Sequence, residues 1–359
     1  ECEILRVIKH SKKTIIGVIK KKEKRTWFLP DTPMPDRNFK ITNLKDFKFV
    51  NDTKVQLYIN RYSDPLECSI LQILGHKYDP GIDILSILLE HDIEPEFPKS
   101  VYREVNRIEE EISEEEKKGR VDLTNELIIT IDGDDSKDLD DAIHVKRIEE
   151  GYELGVHIAD VTHYVRPDST IDDEAIERGT SVYLVDRTVP MLPERLCNEL
   201  CSLRPNEEKL CFSAVFKVNE DGDVLEEWFG RTVIYSDRRF TYAEAQARIE
   251  TGVGDYAEEI MVLNKMAQTM RQRRFKAGAV SFERAEFKFI LDENGKPLGV
   301  YTKEQKEANQ LIEEFMLLAN RRVAEFCTYR IVNGKKVQRP MVYRVHDEPN
   351  EEKLTRFRD

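Results

Sequence analysis

The stretch TIDGDDSKDLDDAIHV, Thr130 to Val145, places the strongest constraint on how this chain folds. Six aspartates, Asp132, Asp134, Asp135, Asp138, Asp140 and Asp141, fall within ten positions. Ionised carboxylates this close repel one another and destabilise whatever holds them together, so a positive charge has to offset them. The flanks ELIITI and AIHV are apolar and β-forming, which sets the acidic loop between two core strands rather than on a solvated tail. A divalent cation bound through hard oxygen ligands answers that demand. The loop is not a calcium hand: counting from Asp132, position 6 is Lys137 instead of glycine and position 12 is Ile143 instead of an acid.

Magnesium keeps several waters and takes one or two carboxylates plus substrate phosphate oxygens. Two such ions, roughly 3.5–4 Å apart, activate a water and stabilise the leaving oxygen of an in-line displacement. Several carboxylates converging from one loop suit that arrangement. The count alone leaves nuclease, phosphatase and polymerase chemistry equally open.

At 359 residues the chain is long enough for two or more domains. Its 40% hydrophobic and 35% charged residues are those of a globular protein, and no run of 18 apolar residues suggests a membrane span. It starts at Glu1, so a preceding targeting segment cannot be read. The six cysteines are scattered without a C-x-x-C pair, which predicts reduced thiols in a cytoplasmic protein. The net charge of −13 hides an asymmetry: residues 1–75 carry a balance of +6 and the remainder −19. A basic small module joined to an acidic large one makes the average uninformative about nucleic acid.

Residues 1–75 read as a small closed barrel of the oligonucleotide-binding type, with short strands at ILRVI, TIIGVIKK, TWFLP, KFVND and KVQLYINRYS. Trp27, Phe28 and Tyr58 sit among Lys20, Lys21, Lys22, Lys24 and Arg25. Aromatics for stacking and cations for phosphate compose a single-strand-binding face, with Trp27, Phe28, Lys22 and Arg25 as its contacts. The same lysines on an edge strand would also serve simply to discourage aggregation.

Residues 76–120 form a connector, with a short amphipathic helix in GIDILSILLEHDI and a charged, helix-favouring, mostly solvated segment REVNRIEEEISEEEKKGR. Residues 121–359 read as a mixed α+β domain. Strands are expected at ELGVHIADV, SVYLV, LCFSAVFKV and EEWFGRTVIYS. One helix carries the stripe Ile260, Leu263, Ala267, Met270 with Gly278 as a stop, and another carries Ala308, Leu311, Phe315, Leu318. His157, His163 and His346 lack metal-ligand spacing and read as ordinary strand or loop residues.

TIDGDDSKDLDDA closely resembles the signature of the RNB family of 3′→5′ exoribonucleases, which comprises the ribonuclease II and ribonuclease R branches. The likeness continues through HIADVTHYVRP, RGTSVYL, PMLPERLCNELCSLRPNE, GAVSFE, LIEEFMLLAN and YRVHDEP, with the forms GTSVYL and IDGDD closer to the ribonuclease R branch. The resemblance implies a cold-shock-type barrel followed by an α+β RNB catalytic domain truncated at its C-terminal side. It implies that Asp132, Asp138, Asp140 and Asp141 are the catalytic, magnesium-organising aspartates, with Asp140 the one whose loss abolishes cleavage while RNA binding persists. Asp134 would be a solvated or outer neighbour. Tyr183 and Phe282 match the aromatics that clamp the last bases of the RNA 3′ end, and Glu313 or Glu314 would contact ribose. The implied reaction is magnesium-dependent hydrolysis of single-stranded RNA to nucleoside 5′-monophosphates, with no small-molecule organic cofactor and no membrane partner.

The chain also departs from the family pattern. The T-S-P-I-R-R/K-Y element with its phosphate-contacting arginine is absent, as are a later glutamate, the C-terminal RNA-binding barrel and the first cold-shock barrel. A fragment of low or no activity alone is therefore expected. Two other readings stay open: a catalytically inactive RNA-binding relative, and an unrelated magnesium-dependent phosphohydrolase of small molecules.

Overall fold

The computed structural model describes residues 8, 10, 12–23, 25–34, 38–280, 286–292, 295, 297–345 and 348–358. The chain divides into two compact units, one of residues 1–109, 164–196 and 283–304, the other of residues 110–163, 197–282 and 305–359. In the first lie the strands β1 Thr14–Lys22, β2 Arg25–Pro30, β3 Phe39–Ile41, β4 Thr53–Arg61 and β5 Leu66–His76 and the helices α1 Ile82–Glu90 and α2 Lys99–Val105. The second unit begins with α3 Glu114–Lys117, β6 Val121–Asp122, β7 Ile128–Asp132, β8 Asp141–Ile148 and β9 Gly151–Ala159. After the short α4 Val161–Tyr164, the chain returns to the first unit for α5 Thr170–Arg178, β10 Val182–Tyr183 and β11 Thr188–Val189. β12 Glu208–Val218, β13 Val224–Thr241, α6 Tyr242–Thr251 and α7 Ala257–Lys276 belong to the second unit. The hairpin β14 Glu286–Leu291, β15 Pro297–Lys303 belongs to the first, and α8 Glu307–Thr328, β16 Tyr329–Val332, β17 Lys335–Gln338 and α9 Glu351–Arg358 complete the second.

The barrel forms because apolar residues alternate along its strands. Its five strands run in the order β2-β1-β4-β5-β3. Ile15, Ile19, Val55, Leu57, Ile59, Leu66, Cys68 and Ile70 fill the interior. Gly17 leaves space that a Cβ would deny, since that atom would meet the Phe28 ring at 2.5 Å. Phe28 lies across it, 7% exposed and edge-on to Phe39 at 5.1 Å. One expected strand is corrected, and another lies almost wholly outside the described residues. KFVND forms no strand, and its place is taken by the short β3 upstream and the long β5, whose alternation of Leu66, Cys68 and Ile70 was overlooked. Of ILRVI only Ile8 lies within the described residues, and it is an exposed bend.

In the second unit, β12, β9, β8, β7 and β13 hydrogen-bond in that order, and β12 also pairs with β13, so the sheet closes on itself with β6 appended. One face presents Ile129, Ile131, Ile143, Leu154, Val156, Ala214 and Phe216 to a layer of α6, α7 and α8, which contribute Ala245, Ile260, Leu263, Ala267, Ala308, Leu311 and Phe315. The two expected helical stripes are thus core. The other face is polar and buried. His144 Nδ1 lies 2.9 Å from His157 Nε2, His157 Nδ1 lies 2.7 Å from Ser213 Oγ, and Ser213 Oγ lies 2.6 Å from Thr232 Oγ1. Gly155 makes that row possible, because a Cβ there would stand 2.3 Å from the His144 ring. Burial holds the His157 imidazole well below its ordinary pKa, with His144 adding to the effect.

The charged segment before residue 120 is not one helix. It breaks into α2 and the capped turn α3, whose Ser113 and Glu116 form a capping box. Its end is anchored rather than solvated: Glu116 meets His163 Nε2 at 2.8 Å, Lys117 meets Glu208 at 2.6 Å, and Arg120 is buried. Among the described residues, no helix is long and apolar enough to cross a membrane.

Candidate metal centre

The aspartates sit where β7 ends and β8 begins. Asp132 is the last residue of β7 and Asp141 the first of β8, so both are fixed by strand pairing, while Asp138 and Asp140 stand on the intervening loop. Asp132 and Asp141 are half-buried, and Asp134, Asp135, Asp138 and Asp140 reach solvent. The loop is tied down at both ends. Arg239 Nη2 donates to the carbonyls of Gly133 at 2.9 Å and Asp134 at 3.2 Å. Ser202 Oγ accepts from Leu139 N at 3.1 Å and donates to the Lys137 carbonyl at 2.7 Å, and Leu203 N donates to the Leu139 carbonyl at 2.7 Å. Ala159 N donates to the Asp140 carbonyl at 3.0 Å.

The electrostatics are those of a site that lacks positive charge. Burial, then the charges of Asp140 and Asp138, push Asp132 up to about 6, against the pull of Arg239. Burial, then Asp140 and Asp132, push Asp141 up to about 7. Asp140 is also raised, chiefly by desolvation even though its side chain touches solvent, because protein surrounds it on its other sides. One carboxylate oxygen, Asp132 Oδ2, is buried without a hydrogen-bond partner. Buried acceptors are normally paired, so an orphan here marks a place that wants a cation.

The donor set fits magnesium. All four side chains offer hard oxygens, and their mutual repulsion is what a divalent ion would relieve. Among the described residues no three Asp, Glu, His or Cys side chains are arranged so that they alone could hold a metal ion. An ion that retains water and takes phosphate oxygens from its substrate requires no such arrangement.

Three side chains around this loop carried no weight in the sequence reading: Arg239, Ser202 and Tyr242. Thr241 pairs with Asp132 across the parallel β13–β7 register, and Tyr242 follows it as the first residue of α6. Burial and the charges of Asp132, Asp141 and Asp140 raise the Tyr242 phenol to about 12, so it stays protonated as a donor beside the carboxylates. The capping box T-x-x-E at Thr241 and Glu244 was the signal that would have placed Tyr242 at a helix start next to the strand end.

The expected RNA contacts divide by location. In the barrel, the pairing of Lys20 with Trp27 and Lys22 with Arg25 sets these four on one outer face. Trp27 is 47% exposed there, and Lys20 is ion-paired to Asp52. Phe28 corrects the expectation: strand alternation turns it into the barrel core, so its ring is not offered to a base. Tyr183 stands on the β10–β11 hairpin of the same unit, 72% exposed. Phe282 and His346 lie outside the described residues. Glu314, in the second unit, is 3% exposed and receives the Arg274 Nε at 3.1 Å, while Arg274 Nη2 reaches Glu313 at 3.1 Å.

Comparison with known proteins identifies the domains of the chain. Residues 120–359 match the RNB domain and residues 27–98 the cold shock domain. The chain is 42% identical to ribonuclease R 1 of Lactococcus lactis over 324 residues, covering 86% of this chain and 38% of that protein. It is 37% identical to ribonuclease R of Thermotoga maritima over 370 residues, covering 99% of this chain and 51% of that one. A solved structure of Mycoplasma genitalium RNase R in complex with ribose methylated single-stranded RNA superposes with a TM-score of 0.87 at 28% identity, covering 98% of this chain and 56% of that one. The chain thus spans about half the length, or less, of the proteins it matches.

Proposed function

Because the chain belongs to the RNB family, we propose that it is part of a 3′→5′ exoribonuclease that hydrolyses single-stranded RNA to nucleoside 5′-monophosphates with magnesium held at the aspartate loop. The observation that carries this reading is the cluster Asp132, Asp138, Asp140 and Asp141, with raised pKa values at Asp132, Asp140 and Asp141 and an unpaired buried oxygen on Asp132. Magnesium bound there would offset the carboxylate repulsion, activate a water and stabilise the leaving oxygen.

The chain's own groups do the rest. Asp132 and Asp141, on strand ends, provide ligand oxygens from backbone positions set by strand pairing. Asp138 and Asp140 complete the set from the loop that Arg239, Ser202 and Leu203 hold. The water adds to the phosphorus of the terminal linkage. The 3′-oxygen of the preceding nucleotide leaves and takes a proton, which frees the terminal nucleotide as its 5′-monophosphate. Tyr183 offers an exposed ring for a base, and the outer face of the barrel with Trp27, Lys22 and Arg25 offers stacking and phosphate contacts. Stacking tolerates every sequence, because every base has a π-face.

A 5′-labelled single-stranded RNA, incubated with magnesium and the full-length protein, tests the reading. Shortening from the 3′ end, lost in Asp140→Asn while RNA binding persists, is the expected result. Binding without magnesium-dependent shortening in the unaltered protein would replace the nuclease with an RNA-binding relative.

A further inference from the structure

We propose that Arg239 is a positioning residue of the metal site, whose guanidinium fixes the first half of the aspartate loop so that Asp132 and Asp138 face a shared ion. The inference rests on the magnesium reading above and adds to it the element that builds the site.

Arg239 reaches the loop from a neighbouring strand. In the parallel pairing of β13 with β7, Arg239 stands opposite Thr130 and Thr241 opposite Asp132. The arginine is therefore anchored two residues behind the metal-facing end, and its side chain extends forward to Gly133 and Asp134. The Gly133 carbonyl also accepts Ser136 N at 3.2 Å, so Arg239 grips the oxygen on which the turn pivots. That turn is tight: a Cβ on residue 133 would stand 3.2 Å from Ser136 Oγ and 3.3 Å from Asp135 Oδ1.

The second half of the loop has a separate hold in Ser202 and Leu203. Without Arg239, the Lys137 carbonyl and the Leu139 backbone stay attached to residues 202–203, while Gly133 and Asp134 lose these hydrogen bonds to β13 and the span that joins Asp132 to Asp138 slackens. Arg239 Nε is buried and unpaired, so the guanidinium is held in a place its own hydrogen bonding does not fully satisfy. Buried polar atoms are normally paired. Keeping one unpaired fits a residue placed for the loop rather than for its own stabilisation.

Charge and geometry make opposite predictions, which makes the proposal testable. As a mere cation beside the site, Arg239 repels a metal, and removing it would tighten metal binding. As a clamp, it orders the ligands, and removing it weakens binding. A lysine keeps the charge, but its stem ends short of the Nη2 position and lacks the planar fork.

The experiment is a Mn2+ titration of this chain followed by electron paramagnetic resonance, for the unaltered protein, Arg239→Lys and Arg239→Met, with metal-free melting midpoints recorded alongside. Outer groups that orient metal ligands commonly contribute about 10–100-fold in affinity. Both variants are expected to bind Mn2+ at least about tenfold more weakly, at melting midpoints close to the unaltered protein's. Should Arg239→Met fail to fold, Arg239→Lys alone decides, and Arg239→Gln, which retains a planar donor, stands in if the lysine variant also fails. Unchanged affinity in Arg239→Lys with tighter binding in Arg239→Met would overturn the clamp while leaving the metal site standing. Absence of Mn2+ binding by the unaltered chain would remove the magnesium reading and the clamp with it.

Discussion

Arg120 Nη2 donates to Asp160 Oδ2 at 2.7 Å, and the two side chains are only 4% and 2% exposed. Arg120 Nη1 also donates to the Cys211 carbonyl at 3.3 Å, so one guanidinium pins the end of the connector to the sheet of the second unit. Burial pushes the Asp160 carboxyl up, but the Thr162 hydroxyl, Arg120 and Arg231 together hold it below the usual carboxylate range. Breaking a buried pair leaves an uncompensated charge. Arg120→Met should therefore destabilise the second unit by about 3–5 kcal/mol, whereas Arg231→Met, at a half-exposed guanidinium, should cost much less. Urea unfolding followed by tryptophan fluorescence reads both, and equal losses would contradict the assignment.

Asp132 and Asp141 titrate near 6 and 7 in the fold, against about 3.9 in an unfolded chain. The sign follows from proton counting. Between about pH 4 and 7 the folded state binds more protons, so these groups lower stability as pH rises and exert their full penalty above pH 7. The metal-free melting midpoint should fall over that window, and magnesium should restore more of it at pH 8 than at pH 5, where protons compete for the same oxygens. A magnesium effect independent of pH would place the ion elsewhere.

Ser202 is 1% exposed and satisfies Leu139 N and the Lys137 carbonyl at once. Ser202→Ala leaves two loop groups without partners. A cost of about 1–3 kcal/mol is expected, together with weaker magnesium binding, since Asp138 lies between those two residues. Calorimetry of folding and of metal binding on one sample tests it; a stability loss with unaltered metal affinity would sever the link between this clamp and the ligands.

In the barrel the neighbours Trp27 and Phe28 should behave oppositely. Phe28→Ala empties the core and should cost about 3–5 kcal/mol of barrel stability. Trp27→Ala should change stability by less than about 0.5 kcal/mol yet weaken single-stranded RNA binding by about 1–3 kcal/mol if a base stacks on it. Retained RNA affinity in Trp27→Ala would return the basic strand to the role of a solvated edge.

Much of this was legible in residue order. Strand and helix positions followed from periodicity, because burial of one face repeats every two or about 3.6 residues and leaves that trace in the sequence. The stripes of α7 and α8 and the alternation of Leu154, Val156 and Ile158 are such traces. The β3 and β5 strands were missed because short or bulged segments carry a weak period, and β5 shifts register against β4 in three places. Phe28 was misjudged because an aromatic among lysines looks exposed until the strand's inward parity is known.

The sequence by itself determined the chemistry: which oxygens are present, that they are hard donors, and that they crowd one loop between core strands. It also carried the family, because motif order survives in the chain without any coordinates. Only the tertiary structure decided what surrounds those oxygens. Arg239, Ser202 and Tyr242 lie between 61 and 110 residues from the loop and reach it through the parallel pairing of β13 with β7 and the return of residues 202–203. Pairing between distant strands leaves no local period in a single sequence, since what selects it is the burial of a whole sheet face, a property of the folded chain and not of any one segment.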